Sequence, residues 1–237
     1  MSHPSVLEFG RRALPAPEVQ GRSVLEVGSL DVNGSLRSHL LSLLPASYLG
    51  VDITPGPGVD EVCDAGALLE RYGPDRFDIV VTTEMMEHVR DWRRVLDNLK
   101  GVLKPGGILV LTTRSAGFPY HGFPHDFWRY EVDDLRRLFV DFQIEEVGPD
   151  PVQAGVFLRA RKPADHRAVD LSALRLHSMV TGRLQRVDDP EVDGRPWWSP
   201  AVRLLRAVGV FGWIPAGFKI RVQKWLGIAG RSRGPRT

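Results

Sequence analysis

The chain has 237 residues, 31 basic and 29 acidic side chains, and a single cysteine. This length allows one sizeable α/β domain with an appendage or two small domains, and one cysteine excludes a disulfide framework. The nearly neutral balance argues against a general nucleic-acid binder. No apolar run flanked by cations follows Met1, so we predict no signal peptide, no membrane span and a cytoplasmic protein.

Strands and helices are predicted to alternate over the first two thirds of the chain. Short apolar runs predict strands near 23–28, 47–52, 59–63, 77–83 and 107–113, and amphipathic spacing predicts helices near 34–44, 65–73 and 91–102. A helix over 131–139 and an edge hairpin of strands at 141–148 and 153–160 follow. The pattern is typical of a doubly wound, mainly parallel α/β sheet, here with seven strands and an antiparallel edge hairpin.

The pattern changes beyond Pro163, where a helical segment near 168–185 and two short amphipathic stretches are predicted. We therefore predict two domains, residues 1–163 and a helical, basic, Trp-rich extension over 164–237. No acidic residue follows Asp193, and this tail holds Trp197, Trp198, Trp213 and Trp225. It can form an aromatic wall for an acceptor, a homodimer contact, an interfacial helix on an anionic membrane, or a plain packed appendage.

Polar residues and glycine stand where the predicted parallel strands end. Gly28 ends the first strand, Asp52 closes the second, and Asp64 follows the third. The carboxyl ends of parallel strands meet at one edge of a sheet, and only glycine lets a ligand approach the backbone closely. We therefore expect a nucleotide-type ligand in a crevice at this edge, although Asp52 can instead form a turn and Asp64 a helix cap.

Five ordered segments carry a family resemblance. They are Val24-Leu25-Glu26-Val27-Gly28, Gly50-Val51-Asp52, Cys63-Asp64-Ala65, Phe77-Asp78-Ile79-Val80-Val81 and Leu103-Lys104-Pro105-Gly106-Gly107. In this order they resemble the class I S-adenosylmethionine-dependent methyltransferases, over roughly residues 20–162. The resemblance implies a Rossmann-like fold, S-adenosyl-L-methionine as cofactor, and a cofactor site of Glu26, Gly28, Ser29, Asp52, Ile53, Asp64, Ala65, Thr83 and Glu84.

Within that site, the resemblance implies that Asp52 accepts hydrogen bonds from two ribose hydroxyls and that Asp64 holds the adenine amino group. One departure concerns the loop after Gly28, because the family places two further glycines where this chain has Leu30 and Val32. We therefore expect a longer or differently folded loop. The same departure keeps open a protein that binds the cofactor without catalysis.

The segment 117–130 follows the fifth strand, where this fold places a loop over the reaction site. It packs two histidines, an aspartate and several aromatic residues between glycines and prolines. We predict His125 as general base, oriented by Asp126 or a nearby acid, with His121 as the alternative base. The competing interpretation is a lid whose side chains only pack. A divalent metal such as Mg²⁺ on Asp126, His121, His125 or Glu84 is conceivable, but no ligand spacing favours it.

These observations predict an O-methyltransferase acting on a small or medium-sized acceptor, for which we favour a sugar or glycosylated metabolite. The segment from Thr83 to His88 resembles that of the family's small-molecule members and disfavours methylation of nucleic-acid bases. The alternatives are a lipid or phenolic acceptor and a non-catalytic regulatory or assembly subunit that binds S-adenosylmethionine. A nicotinamide-dependent dehydrogenase would need a Gly-x-Gly-x-x-Gly loop, which residues 28–33 do not supply.

Overall fold

The computed structural model describes residues 3–121 and 125–193. The helices are α1 (Pro4–Ala13), α2 (Ala16–Val19), α3 (Arg37–Ser42), α4 (Leu68–Tyr72), α5 (Trp92–Val102) and α6 (Val132–Leu138). The strands are β1 (Ser23–Val27), β2 (Ser47–Asp52), β3 (Glu61–Val62), β4 (Phe77–Thr83), β5 (Leu103–Arg114), β6 (Trp128–Arg129), β7 (Gln143–Pro149), β8 (Gly155–Arg161), β9 (Leu176–Ser178) and β10 (Leu184–Gln185). Short 3-10 helices cover Ala65–Ala67, Met86–His88 and Pro190–Asp193.

Seven strands form the main sheet in the order β3-β2-β1-β4-β5-β8-β7. The strands from β3 to β5 run parallel, whereas β8 is antiparallel to both β5 and β7. The predicted doubly wound sheet with an antiparallel edge hairpin is confirmed. Its strand order reverses between β1 and β4, and in such sheets ligands bind beyond the carboxyl ends of the strands at this point.

Helices cover both faces of the sheet because successive strand residues point to opposite sides. Val24 lies in the apolar cluster that includes Phe9 of α1 and Leu40 of α3. The next residue, Leu25, lies in the other cluster with Trp92 of α5. Trp92 is fully buried, and Asp91 caps α5 by accepting a hydrogen bond from the Arg94 amide at 3.1 Å. The two layers hold the strand ends rigidly at the edge where the site lies.

The N-terminal helices were not predicted from the sequence. His3 caps α1 through its Nδ1 atom, and Phe9 stacks on Phe157 of β8 with ring centroids 4.7 Å apart. Helix α1 therefore covers the sheet near its antiparallel edge. No helix within the described part of the chain is both long enough and apolar enough to cross a membrane.

The prediction of a helix over 168–185 is wrong. This region contains β9 and β10, which form a second, three-stranded sheet together with β6. Leu176 and Ser178 of β9 are fully buried, and β9 pairs with Trp128 and Arg129 in the segment that follows β5. Pairing with a distant strand has overridden the helical preference of the local sequence. The four tail tryptophans and the two amphipathic stretches lie outside the described residues.

Candidate active site

The loop after β1 folds onto β2. The amides of Gly28 and Ser29 both donate to the carbonyl oxygen of Val51, at 2.9 and 3.0 Å. Gly28 has a φ of 79°, and a Cβ atom at this position would lie 2.9 Å from the Cβ and Cγ atoms of Met85. Only glycine fits here, because the ends of β1 and β4 meet at this point. The two amide hydrogen bonds therefore fix the loop against β2. Gly28 is needed because a side chain at this position would clash with Met85.

Asp52 offers a carboxylate at the open end of β2. Its Oδ1 atom accepts a hydrogen bond from the Thr54 amide at 2.9 Å, and its Oδ2 atom lies 3.3 Å from the Leu30 amide. Each carboxylate oxygen can accept a second hydrogen bond, and the residue is only half-buried. The neighbouring Ile53 is 68% exposed, so it presents an apolar surface next to this acceptor. The turn and binding roles of Asp52 are thus compatible.

Asp64 occupies the equivalent place after β3. Its Oδ1 atom accepts a hydrogen bond from the Gly66 amide at 2.7 Å and caps the 3-10 helix Ala65–Ala67. The expected capping role is therefore present. The Oδ2 atom of this exposed residue forms no hydrogen bond with the described residues and is free to accept one. Ala65 is half-buried beside it.

Two residues expected in the cofactor site face the interior. Glu26 is buried and accepts a hydrogen bond from the Tyr48 hydroxyl. Burial outweighs that hydrogen bond and raises the pKa of Glu26 to about 7. Ser29 is also buried, and its Oγ atom lacks a hydrogen-bond partner among the residues described.

Glu84 forms part of the floor below the ends of β4 and β5. It directly follows the half-buried Thr83 and has a φ of 55°. Its Oε1 atom accepts a hydrogen bond from the Thr112 hydroxyl at 3.0 Å, and its Oε2 atom pairs with the Arg114 guanidinium. Burial and the nearby Glu87 carboxylate raise the pKa of Glu84 to about 7. The carboxylate is therefore engaged within the protein.

The acceptors at the strand ends fit the cofactor that the sequence implies. S-adenosylmethionine carries ribose hydroxyls and an adenine amino group, which are hydrogen-bond donors. Asp52 and Asp64 provide carboxylate oxygens with unused capacity at adjacent strand ends. Ser29 adds an unpartnered hydroxyl, and Gly28 keeps its loop clear of bulk.

The segment after β5 brings four polar side chains together. His121 lies between two carboxylates, with Nδ1 3.0 Å from Asp126 Oδ2 and Nε2 3.6 Å from Glu87 Oε1. His88 packs edge-on against the His121 ring, with centroids 4.8 Å apart. Burial opposes a charge on His121, but the hydrogen bond with Asp126 and the nearby Glu87 carboxylate outweigh it and raise the pKa of His121 to about 9. His121 is therefore a cation at neutral pH.

The structure corrects the expected pairing of His125 with Asp126. Asp126 is fully buried and pairs with Arg129, whose Nη2 atom donates to Oδ2 at 2.6 Å, and with His121. His125 is exposed, and its ring lies 5.5 Å from the Phe127 ring without a hydrogen bond to any described residue. Its carbonyl oxygen accepts a hydrogen bond from His88 Nδ1 at 2.6 Å. Asp126 thus anchors His121, while the His125 imidazole stays accessible.

The place of Glu87 and His88 directly after the fourth predicted strand favours a role in anchoring the following turn. Both belong to the 3-10 helix directly after β4, at the carboxyl edge of the sheet, and both face His121. Their position after a central strand was the only sequence feature that indicated a place in the site. The partner that completes the cluster lies in a separate loop, and its contact with Glu87 was not predictable from spacing.

Comparisons with known proteins agree with this architecture. Residues 5–147 match a family described as "Methyltransferase domain". The curated relatives include ubiquinone biosynthesis O-methyltransferases from Chelativorans sp., 27% identical with 44% of this chain and 45% of the relative covered, and from Azorhizobium caulinodans, 30% identical with 46% of each chain covered. The chain thus spans about half the length of the curated relatives it matches.

Solved structures share the fold. An S-adenosylmethionine-dependent methyltransferase from Mesorhizobium loti matches with a TM-score of 0.53 and 18% identity, covering 68% of this chain and 99% of its own. A 1,6-didemethyltoxoflavin-N1-methyltransferase from Burkholderia thailandensis, solved with bound 1,6-didemethyltoxoflavin and S-adenosylhomocysteine, matches with a TM-score of 0.53 and 18% identity, covering 65% of this chain and 78% of its own. At these identities the likeness concerns the fold alone.

Proposed function

The chain belongs to the class I S-adenosylmethionine-dependent methyltransferases, and on this premise we propose that it methylates a hydroxyl group of a small or medium-sized acceptor. The observation that supports the cofactor part of the proposal is the Asp52 carboxylate, which has unused acceptor capacity beside the Gly28 loop at the carboxyl edge of the sheet. When bound, S-adenosylmethionine supplies a sulfonium methyl group that is already a strong electrophile. The protein then has to orient the acceptor, exclude water and remove a proton.

Each cofactor-binding residue has a distinct task in this proposal. Asp52 binds the ribose hydroxyls, Asp64 binds the adenine amino group through its free oxygen, and Ile53 packs beside the base. Gly28 keeps bulky side chains out of the loop, Ser29 and Thr83 line the cofactor site, and Ala65 lies near the adenine ring. Glu26 and Glu84 support the cofactor site without binding the cofactor through their carboxylates. The Glu26 carboxylate contacts Tyr48, and the Glu84 carboxylate contacts Thr112 and Arg114.

We assign the general base to His125 and keep His121 as the alternative. A base must present an unprotonated nitrogen to the acceptor hydroxyl. The His125 ring is exposed and unpartnered within the described part of the chain, whereas two carboxylates keep His121 protonated at neutral pH. Asp126 then holds the lid through Arg129 and His121.

The acceptor class is a finer part of the proposal. The names of the curated relatives favour transfer to oxygen, since those proteins are O-methyltransferases. We favour a sugar or glycosylated metabolite because aromatic residues are concentrated in the lid sequence and in the tail. A lipid or phenolic acceptor is the second candidate. A cytoplasmic location completes the proposal, and for the tail the alternatives stay an acceptor wall, a homodimer contact, contact with a membrane surface, or a plain packed appendage.

Calorimetry and a transfer assay test these assignments in turn. The protein should bind S-adenosylmethionine and S-adenosylhomocysteine in a 1:1 ratio, and a panel of sugars, phenols and lipids should then reveal the acceptor. With that acceptor, His125→Ala should lower kcat by about 10²- to 10⁴-fold without weakening cofactor binding. His39→Ala, a histidine change in α3, is the matched control.

The outcomes separate the candidates. If His121→Ala loses the rate while His125→Ala retains it, the base is His121. If both variants remain fully active, the lid only packs and the base lies elsewhere. Cofactor binding without transfer to any member of the panel would favour the regulatory or assembly subunit.

A further inference from the structure

Two imidazoles and one carboxylate converge beyond the end of β4. The Nε2 atoms of His88 and His121 lie 3.9 and 3.6 Å from the Oε1 atom of Glu87. One potential ligand atom from each residue lies within 4.8 Å of the other two. The Glu87 side chain is fully buried, and its Oε1 atom has no hydrogen-bond partner in the described structure. A buried carboxylate oxygen left in this state is costly unless a cation faces it.

The opposite nitrogen of each ring is already anchored. His88 Nδ1 lies 2.6 Å from the His125 carbonyl oxygen, and His121 Nδ1 lies 3.0 Å from Asp126 Oδ2. A carbonyl and a carboxylate only accept hydrogen bonds, so both Nδ1 atoms must donate. Histidines that bind metals are held in this way, with the second ring nitrogen donating to a carbonyl or a carboxylate.

The hydrogen bonds of the two Nδ1 atoms determine which kind of charge fits at the centre of the cluster. With a proton on each Nδ1 atom, His88 and His121 turn their Nε2 atoms toward Glu87 Oε1, and three lone pairs converge there once a metal ion displaces the proton that His121 Nε2 carries at neutral pH. Three lone pairs that converge in this way need a positive charge between them. The geometry points to a binding site for one divalent transition-metal ion of the Zn²⁺ type, with Glu87, His88 and His121 as ligands. The competing occupant is a proton, which would make His121 a charged partner of Glu87.

The donor set and spacing suit such an ion. Two imidazoles and a carboxylate are typical ligands of Zn²⁺ and its first-row neighbours, whereas Mg²⁺ prefers an all-oxygen environment. Metal–ligand bonds of about 2.1 Å place ligand atoms about 3.0 to 3.4 Å apart. The separations of 3.6 and 3.9 Å from Glu87 therefore need to contract by several tenths of an ångström, and the ligand atoms, which lie within 4.8 Å of one another, by up to about 1.4 Å to reach the upper spacing. Glu87 Oε2 accepts a hydrogen bond from the Thr113 hydroxyl at 2.9 Å, which holds the carboxylate in place.

The site differs from the Mg²⁺ set considered from the sequence. Asp126 is occupied by Arg129, Glu84 is occupied by Arg114, and the His125 side chain is exposed outside the cluster. The metal would join His121, in the segment after β5, to the turn that follows β4. Its binding is measured directly, so the test does not depend on methyl transfer.

The test is titration of the full-length, tag-free protein, stripped with a chelator, with Co²⁺ and then Zn²⁺. Co²⁺ should give a saturable visible absorption band at one equivalent, and Zn²⁺ should displace it. His88→Ala, His121→Ala and Glu87→Gln should each weaken Co²⁺ binding at least tenfold. His39→Ala, which changes a histidine outside the cluster, should bind as the wild type does. Zn²⁺ should also raise the Tm of the wild type but not of His121→Ala.

The wild-type titration keeps the proposal falsifiable even if a variant fails to fold. No band and no Zn²⁺ heat at equimolar protein would show that a proton, not a metal, occupies the cluster. Undiminished Co²⁺ binding by folded His88→Ala and His121→Ala would place the metal elsewhere and equally overturn the assignment. Circular dichroism without metal establishes which variants are folded.

Discussion

Replacing Asp52 is the most direct test of the cofactor site. Asp52→Ala removes both carboxylate oxygens, and each hydrogen bond to an ionised acceptor contributes about 1.5 to 3 kcal/mol. Loss of two ribose contacts therefore costs roughly 3 to 6 kcal/mol, or about 10²- to 10⁴-fold in affinity. Since Asp52 is only half-buried, we expect the lower end of that range. Calorimetric titration with S-adenosylhomocysteine measures the effect.

The carboxylate also holds the Thr54 and Leu30 amides, so loosened loops have to be distinguished from lost contacts. Asp52→Asn keeps the shape and one acceptor oxygen, and it should show an intermediate loss. Asp31→Ala is the matched control, because this exposed residue accepts a hydrogen bond from the Gly34 amide in the neighbouring loop. Wild-type affinity in Asp52→Ala would remove this residue from the ribose site.

Three further changes test the framework. Gly28→Ala should weaken cofactor binding at least tenfold, whereas Gly73→Ala, with a similar φ of 78° but open space around it, should not; equal binding by both would refute the steric argument. Because the pKa of Glu26 is raised to about 7 in the folded protein, its protonation contributes about 3 kcal/mol of stability that is lost as pH rises from 4.5 to 7. In urea unfolding, the stability of Glu26→Gln should fall less over this range than that of the wild type, because only the fall due to Glu84, whose pKa is also raised to about 7, remains, and parallel pH profiles would contradict this. Truncation after Pro163 should lower the Tm, because it exposes residues that β9 buries, and an unchanged Tm would refute this.

Much of the main sheet is predictable because its signals are local. Each parallel strand is a short apolar run, and the observed β1, β2 and β4 lie within one residue of the predicted bounds. The same strand assignments place Asp52 and Asp64 at strand ends, so the sequence alone predicts the positions of these two acids. The contacts they make were not predictable, because the loops that pack onto them fold without the expected glycines.

The lid shows where local reasoning fails. Adjacency in the sequence suggested that Asp126 orients His125, yet the two side chains point to different partners. Arg129, only 1% exposed, draws the Asp126 carboxylate inward, and His121 reaches it from the other end of the loop. A buried guanidinium requires a buried anion, and this requirement outweighs sequence proximity. The charge pattern alone does not indicate which residues become buried.

Tertiary contacts also explain why the region after Pro163 forms strands instead of the predicted helix. Its leucines and alanines favour a helix locally, but β9 can pair with the two residues of β6 only as a strand. That pairing buries Leu176 against the main core and places β9 beside Arg129, the residue that fixes Asp126. Strand β9 therefore supports the segment after β5, and His121 is linked to β9 through Arg129 and Asp126. A substitution in β9 should therefore disturb the positions of His121 and Asp126 more than the strand ends that carry Asp52 and Asp64.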